Sequence, residues 1–438
     1  MLKFDFNNLD FLKKTVNYSQ TADAHRKLLD YSENSTYGFL ELPGKDISDI
    51  KNYVSENCKE FDNLVVIGIG GSALGSLAVK SALQHKSDPR KKLIILDNVD
   101  PGFIRKNICG LDFKRTLVNV ITKSGATAET MSIFLIILDI MKKKLGEDFK
   151  NHLVFTTDPE KGLLNKVANK IGVKCFEIPE NVGGRFSVLT PAGLLPSAFL
   201  GLDIEKMLKG ADDMKNICLT SDIQESPAYN LAISHVNGMF ENKNIAVMFP
   251  YSNSLVSFAD WFKQLWAESL GKRFDLAGKV VNTGQTPTVA LGATDQHSQV
   301  QLYAEGPDDK IFTFLKVEKF HADYKIIKSD LLPELDYLSN HNLSDLLNAE
   351  CLATEKALTD VKRVNCALIF PELDEYHLGQ AFMLFEIMTV YAGILLNINP
   401  LDQPGVEAGK IATFSLMGRK GFEKEAEEMK AYLKAKRK

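Results

Sequence analysis

Residues 64–75 read Leu64-Val65-Val66-Ile67-Gly68-Ile69-Gly70-Gly71-Ser72-Ala73-Leu74-Gly75. A short apolar, β-branched run ends in glycine, and a string of small residues opens the next segment. That order, strand then tight turn then helix, is the first half of a βαβ unit. The same grammar recurs downstream. Leu93–Asp97 is a second run, and Thr116–Ile121 a third, which leads through 122–127 into an apolar helix over 128–144. His152–Thr156 and Lys174–Pro179 are the fourth and fifth. Strands alternating with helices at this spacing predict a parallel sheet buried on both faces.

The second half repeats the pattern less regularly. Asn244–Pro250, Thr288–Gly292, Ile311–Val317 and Cys366–Phe370 read as strands, and 254–270 as a helix. The expected fold class is therefore α/β, with two doubly wound parallel-sheet units at 61–205 and 206–400. A helical arm is expected over 1–60 and a charged helical segment over 401–438. A chain of 438 residues accommodates two or three such units at roughly 100–200 residues each.

Composition removes several function classes. Lys+Arg number 52 and Asp+Glu 56, a net charge of −4. No global positive field is available for nucleic acid or a membrane surface, so an anionic substrate must meet a local basic site. The six cysteines form no Cys-x-x-Cys pair, which leaves metal and redox motifs without support and suggests a reducing compartment. Met1–Phe6 lacks a signal-peptide pattern, and the apolar run Ile133–Leu138 is far short of the roughly 20 residues that span a bilayer. A cytoplasmic protein is expected, with neither nucleic acid nor membrane as partner.

The first glycine loop, read alone, resembles a dinucleotide fingerprint, with Gly68, Gly70 and Ala73 as the small positions and Asp97 ending the next strand. A tight turn that only glycine can make explains it equally well. The junction Thr122-Lys123-Ser124-Gly125-Ala126-Thr127 tips the balance. Helix N-terminal amides and clustered hydroxyls suit an anion, and two such junctions after two strands suit one compact phosphate. Ser72 and Gly71 fit the same reading.

Four further groups could carry chemistry. Gly183-Gly184-Arg185 sets an arginine after a glycine pair, where it could meet developing oxygen charge. Residues 258–270 form a helix with an apolar stripe at 258, 261, 262, 265 and 266. Gln264 and Glu268 lie one turn apart on its flank, and Gly271 reads as its cap. Glu268 thus falls in the last turn, where the dipole disfavours negative charge, a setting suited to a general base. Asp295-Gln296-His297 follows a strand and reads as a helix start that offers a histidine for proton movement. In Gln403-Pro404-Gly405-Val406-Glu407-Ala408-Gly409-Lys410, the glycines suggest close packing, which would leave Lys410 partly desolvated.

Together, Gly68–Gly75, Thr122–Thr130, Gly183–Val188, Gln264–Lys272, Ala293–Gln299 and Gln403–Lys410 resemble, in order, the bacterial glucose-6-phosphate isomerase family. The resemblance implies two sugar-isomerase (SIS) type domains and interconversion of glucose 6-phosphate and fructose 6-phosphate through a cis-enediol. It implies Glu268 as the base, Arg185 as the enediolate's partner, and His297 and Lys410 as ring-opening groups. The phosphate would lie on Ser72, Thr122, Ser124 and Thr127 with Lys123 and Gly71 near, and Gln264 and Gln403 would contact substrate. It further implies a homodimer, with His297 contributed across the interface, and neither metal nor cofactor. Thr122 stands where many relatives carry serine, and Pro404 where animal relatives carry tryptophan. The alternative reading is a non-catalytic sugar-phosphate sensor on the same fold, which the presence of Glu268, Arg185, His297 and Lys410 disfavours.

Overall fold

The computed structural model describes residues 1–436 except 13, 14, 17, 161 and 221. Parts of the expected N-terminal arm and the last two residues of the expected C-terminal segment therefore lie outside the described residues. Strand β1 (Lys3–Asp5) opens the chain; β2 (Asn63–Ile67), β3 (Lys92–Leu96), β4 (Thr116–Ile121), β5 (Leu153–Thr157) and β6 (Cys175–Glu177) follow. The last five form one sheet in the order β3-β2-β4-β5-β6, with every neighbouring pair parallel. Alternate residues of β2 enter different apolar clusters, Leu64 and Val66 on one face, Val65 and Ile67 on the other. Burial on both faces is why these strands read as unbroken apolar runs.

The second half adds β7 (Ile245–Pro250), the hairpin strands β8 (Lys272–Phe274) and β9 (Val280–Thr283), then β10 (Thr286–Val289), β11 (Lys310–Lys319) and β12 (Asn365–Glu372). Its sheet runs β1-β12-β11-β7-β10. Four strands are parallel, and β1 closes the edge antiparallel, with Lys3 opposite Ile369. The architecture is a mixed α/β fold with two largely parallel sheets. The N-terminus departs from the expected helical arm. Helices at Tyr18–Glu33 and Ser48–Asn57 are present, but residues 3–5 complete the distant second sheet. That pairing joins segments far apart in the sequence and leaves no local periodicity to read.

The two sheets share their largest apolar cluster. Val66 of β2, Leu265 of the helix Val256–Leu270, Leu368 of β12 and Phe382 of the helix Glu375–Leu395 all belong to it. Glu375–Leu395 packs against Ile204–Cys218, Pro227–Phe240 and Tyr18–Glu33. Its 21 residues are, by length and composition, long and apolar enough to cross a bilayer, a stretch that the sequence reading passed over. Eighteen of its 21 residues are buried inside the protein, which marks it as the central core helix. Four cysteines are buried, whereas Cys109 is exposed and Cys175 half-buried.

Two strand-to-helix junctions define a cleft. The chain runs from β2 outward to β3, then crosses back to β4 on the other side of β2. At such a switch point the loops after the two central strands diverge and leave a crevice at the strands' C-terminal ends. Those loops are 68–73 and 122–127. The helix Val256–Leu270 follows β7 of the second sheet yet packs on Leu74–Leu83 of the first half, which brings its last turn to that crevice.

Candidate active site

The glycine loop makes three close approaches. A Cβ on Gly68 would lie 3.2 Å from the Ile121 carbonyl oxygen, one on Gly70 2.9 Å from Gln264 Nε2, and one on Gly71 2.1 Å from the Gly184 carbonyl oxygen. The loop therefore abuts the end of β4, the helix of Glu268 and the turn of Arg185 at once. Gly70 also has φ +58°, a conformation that side chains disfavour.

On the β4 side the hydroxyls converge. Thr122 Oγ1 lies 2.9 Å from Thr127 Oγ1 and 3.4 Å from Ser124 Oγ, and Ser124 and Thr127 are 3.3 Å apart. Thr127 occupies the N-cap of Ala128–Leu145, but its side chain makes no capping bond. With no side-chain cap, the helix's first amides offer a natural seat for an oxyanion. Lys123 turns elsewhere, with its ammonium donating to the carbonyls of Glu180 (2.7 Å) and Val182 (2.8 Å). It ties down the segment before Arg185 and contributes positive charge from behind.

Arg185 is buried, 4% exposed. Its Nε donates to Ser269 Oγ (2.7 Å), Nη1 to Gln403 Oε1 (2.9 Å), and Nη2 to the carbonyls of Pro400 (2.6 Å) and Asp402 (3.1 Å). Nη1 also lies 3.2 Å from Glu268 Oε1. Burial pulls the guanidinium's pKa below its usual value, and Glu268 and Asp402 counter that. Every contact fixes the fork in one orientation.

Glu268 projects from the last turn of Val256–Leu270, as expected, because Phe258, Trp261, Phe262, Leu265 and Trp266 bury the opposite stripe. Gly271 closes the helix, its amide donating to Ala267, although without the left-handed backbone usual for a glycine cap. Glu268 Oε2 accepts from Gln264 Nε2 at 2.9 Å, and the Gln264 oxygen is buried without a partner among the described residues. The carboxylate is thus held between an amide and a guanidinium while a quarter of its side chain stays exposed.

Two expected groups are not brought to this cluster within one chain. His297 is exposed at the end of a single 3-10 turn, Thr294–His297, in place of the expected α-helix start; the next helix begins at Val300. Among the described residues no hydrogen bond or ion pair joins it to Glu268 or Arg185. Lys410 corrects the sequence reading. Its side chain is 52% exposed and pairs with Glu407 at 2.7 Å, one turn away. Gly405 and Gly409 have nothing within 4 Å of an added Cβ, so the expected close packing is absent in the single chain. The helices Glu407–Leu416 and Glu423–Lys436 pack on each other and leave Leu416 and Met417 in solvent. Gln403, just before them, does reach the site.

Sequence reasoning missed Ser269, Lys272 and Asp402. Lys272 follows the helix-ending Gly271, a common place for a cation that bonds the last carbonyls, and that signal was available.

Residues 47–428 match the phosphoglucose isomerase family. The chain belongs to that family. It is 44% identical to a glucose-6-phosphate isomerase of Carboxydothermus hydrogenoformans over 98% of this chain and 97% of that one. A glucose-6-phosphate isomerase of Thermus thermophilus is 38% identical over 89% and 93% of the two chains. Among solved structures, a hypothetical protein from Thermus thermophilus superposes with a TM-score of 0.89 at 36% identity, covering 95% of this chain and all of that one. A Chlamydia trachomatis glucose-6-phosphate isomerase shares the fold at TM-score 0.76 and 22% identity, covering 96% and 84%.

Proposed function

We propose that this chain interconverts D-glucose 6-phosphate and D-fructose 6-phosphate by proton transfer between C2 and C1. One observation carries the reading. The Glu268 carboxylate and the Arg185 guanidinium lie 3.2 Å apart, and the glycine loop beside them abuts the strand that leads into the hydroxyl cluster of Thr122, Ser124 and Thr127, a grouping suited to a phosphate. An aldose–ketose isomerisation needs those three elements: an anchor, a base and a cation for the charge that the base creates.

The phosphate binds Ser72, Thr122, Ser124 and Thr127, which sets the open-chain sugar across the crevice toward Glu268. Glu268 removes the C2 proton, and the electron pair moves toward O1 to give a cis-enediolate. Arg185, already desolvated and fixed by its contacts, offers charge to that oxygen without reorganising. Glu268 then returns the proton to C1 while the O2 hydroxyl proton passes to O1, so that O1 ends as a hydroxyl and O2 as the carbonyl. Gln264 and Gln403 orient the hydroxyls between the two ends. His297 and Lys410 open the sugar ring.

The exposure of His297 and Lys410 fits a homodimer in which His297 completes the neighbouring subunit's site. The reading includes no cofactor and places the activity in the cytoplasm, within glycolysis and gluconeogenesis. The non-catalytic sensor alternative has no observation in its favour.

The test is a coupled assay that supplies fructose 6-phosphate and detects glucose 6-phosphate. Wild-type protein turns over. Glu268→Gln loses turnover and still binds fructose 6-phosphate in a calorimetric titration, because the change removes the base and little volume. Turnover retained by Glu268→Gln would move the base elsewhere.

A further inference from the structure

Lys272 is the first residue of β8, two positions beyond the end of the helix that carries Glu268. It is 7% exposed, which is rare for a lysine without a close carboxylate partner. Its ammonium donates to the backbone carbonyls of Glu268 (2.8 Å) and Ser269 (2.7 Å). Among the described residues, the carboxylate that pairs with it is Asp402, at 3.7 Å and half exposed.

Those two carbonyls belong to the two residues that matter most beside it. Glu268 is the proposed base, and Ser269 Oγ receives the Nε of Arg185. One ammonium therefore grips the backbone of both the base and the arginine's anchor. The helix's final carbonyls would otherwise be buried and unpaired, a cost that explains a charge held this far from water.

We propose that Lys272 is a positioning residue for the proton-transfer step: its charged side chain clamps the carbonyls of Glu268 and Ser269, holding the base and the enediolate-facing arginine in register. The inference rests on the reading of Glu268 and Arg185 given above.

The surroundings make this clamp sensitive to pH. The charged groups facing Lys272 are Glu268 from its helix, Arg185 from the turn after Gly184 and Asp402 from the segment before Gln403. From β9, Thr283 pairs with it and brings no charge. Burial, then repulsion from Arg185, lowers its pKa to about 8 against the opposing pull of Asp402 and Glu268. Above that pH a neutral amine holds the carbonyls less firmly and no longer balances the carboxylates.

Two variants test the clamp. Lys272→Met lowers kcat about tenfold or more while KM stays within about twofold, because the phosphate seat lies on other loops. Lys272→Arg, whose guanidinium stays protonated, recovers much of kcat and moves the alkaline decline from about pH 8 upward by about one pH unit or more. Wild-type kcat in Lys272→Met, or an alkaline decline unmoved in Lys272→Arg, would overturn the proposal. Should Lys272→Met not fold, the pH profile of Lys272→Arg alone decides. Absence of turnover in the wild type would strike the isomerase reading instead, so the two failures are distinct.

Discussion

Gly71 and Gly184 meet backbone to backbone: a methyl group on Gly71 would stand 2.1 Å from the Gly184 carbonyl oxygen. The contact joins the turn after β2 to the turn that presents Arg185, so it sets the distance between the proposed phosphate seat and the guanidinium.

Gly71→Ala is accordingly expected to force these turns apart. Neither neighbour is a flexible side chain that could swing away. Loss of isomerase activity by about a hundredfold, with a melting temperature lowered by several degrees, is the expected outcome. Gly184→Ala has open space around its Cβ and serves as the control, retaining most activity.

Thr127 separates binding from chemistry. Its hydroxyl is committed to Thr122 and Ser124 and makes no bond to its own helix. Thr127→Val should raise KM for fructose 6-phosphate about tenfold and leave kcat within about threefold, since a hydrogen bond to a charged group is worth about 1.5–3 kcal/mol. Steady-state kinetics of the two proteins checks this.

Subunit complementation tests where His297 acts. Glu268→Gln and His297→Ala are each expected to be inactive. If a site draws Glu268 from one subunit and His297 from its partner, a mixed dimer regains one intact site. An equimolar mixture, unfolded and refolded together, should then recover about a quarter of wild-type turnover. No recovery would assign both residues to the same subunit.

Lys410 gives the converse dissociation of stability from activity. Its ion pair with Glu407 is exposed on both sides and contributes at most about 0.5 kcal/mol. Lys410→Ala should leave the melting temperature essentially unchanged and still lower kcat, as measured by calorimetry and the coupled assay.

Asp374 predicts an acid limit to stability. Burial raises the pKa of its carboxyl, but bonds from the His377 amide (2.9 Å), the His377 ring (2.7 Å) and Lys206 (2.5 Å) outweigh that and hold it well below the usual range. A depressed folded-state pKa gives stability that is complete above the unfolded value near 4 and is lost as pH falls below it. Asp374→Asn should cost about 3 kcal/mol at pH 7, and the gap to wild type should close progressively below about pH 4. Urea titrations across that range provide the measurement.

The first sheet was legible because buried parallel strands write themselves as apolar runs between glycine turns, and β4 falls at Thr116–Ile121 as read. The hydroxyl cluster of Thr122, Ser124 and Thr127 at the next strand-to-helix junction was legible for the same reason. Strand β1 was not, because its partner β12 lies hundreds of residues away. Lys410 and its glycines misled, since desolvation inferred from helix composition presumes a neighbouring surface that a single chain lacks. Ser269 stayed hidden because a hydroxyl leaves no mark in the pattern of charges, whereas Lys272, a cation just past the helix-ending Gly271, carried a readable signal.

The apolar cluster common to both sheets bears on how a substrate can come and go. Val66, Leu265, Leu368 and Phe382 sit in one continuous interior, so the halves are not free to hinge apart. Parting them would expose interior surface, and each buried leucine- or phenylalanine-sized side chain costs about 1.5–3 kcal/mol to wet. Traffic through the crevice is therefore left to its rim, where Gln403 bridges Arg185 to the weakly anchored tail. The spacing of Arg185 and Glu268 is thus set by a packed interior, and any opening for the proposed substrate falls to the chain's periphery.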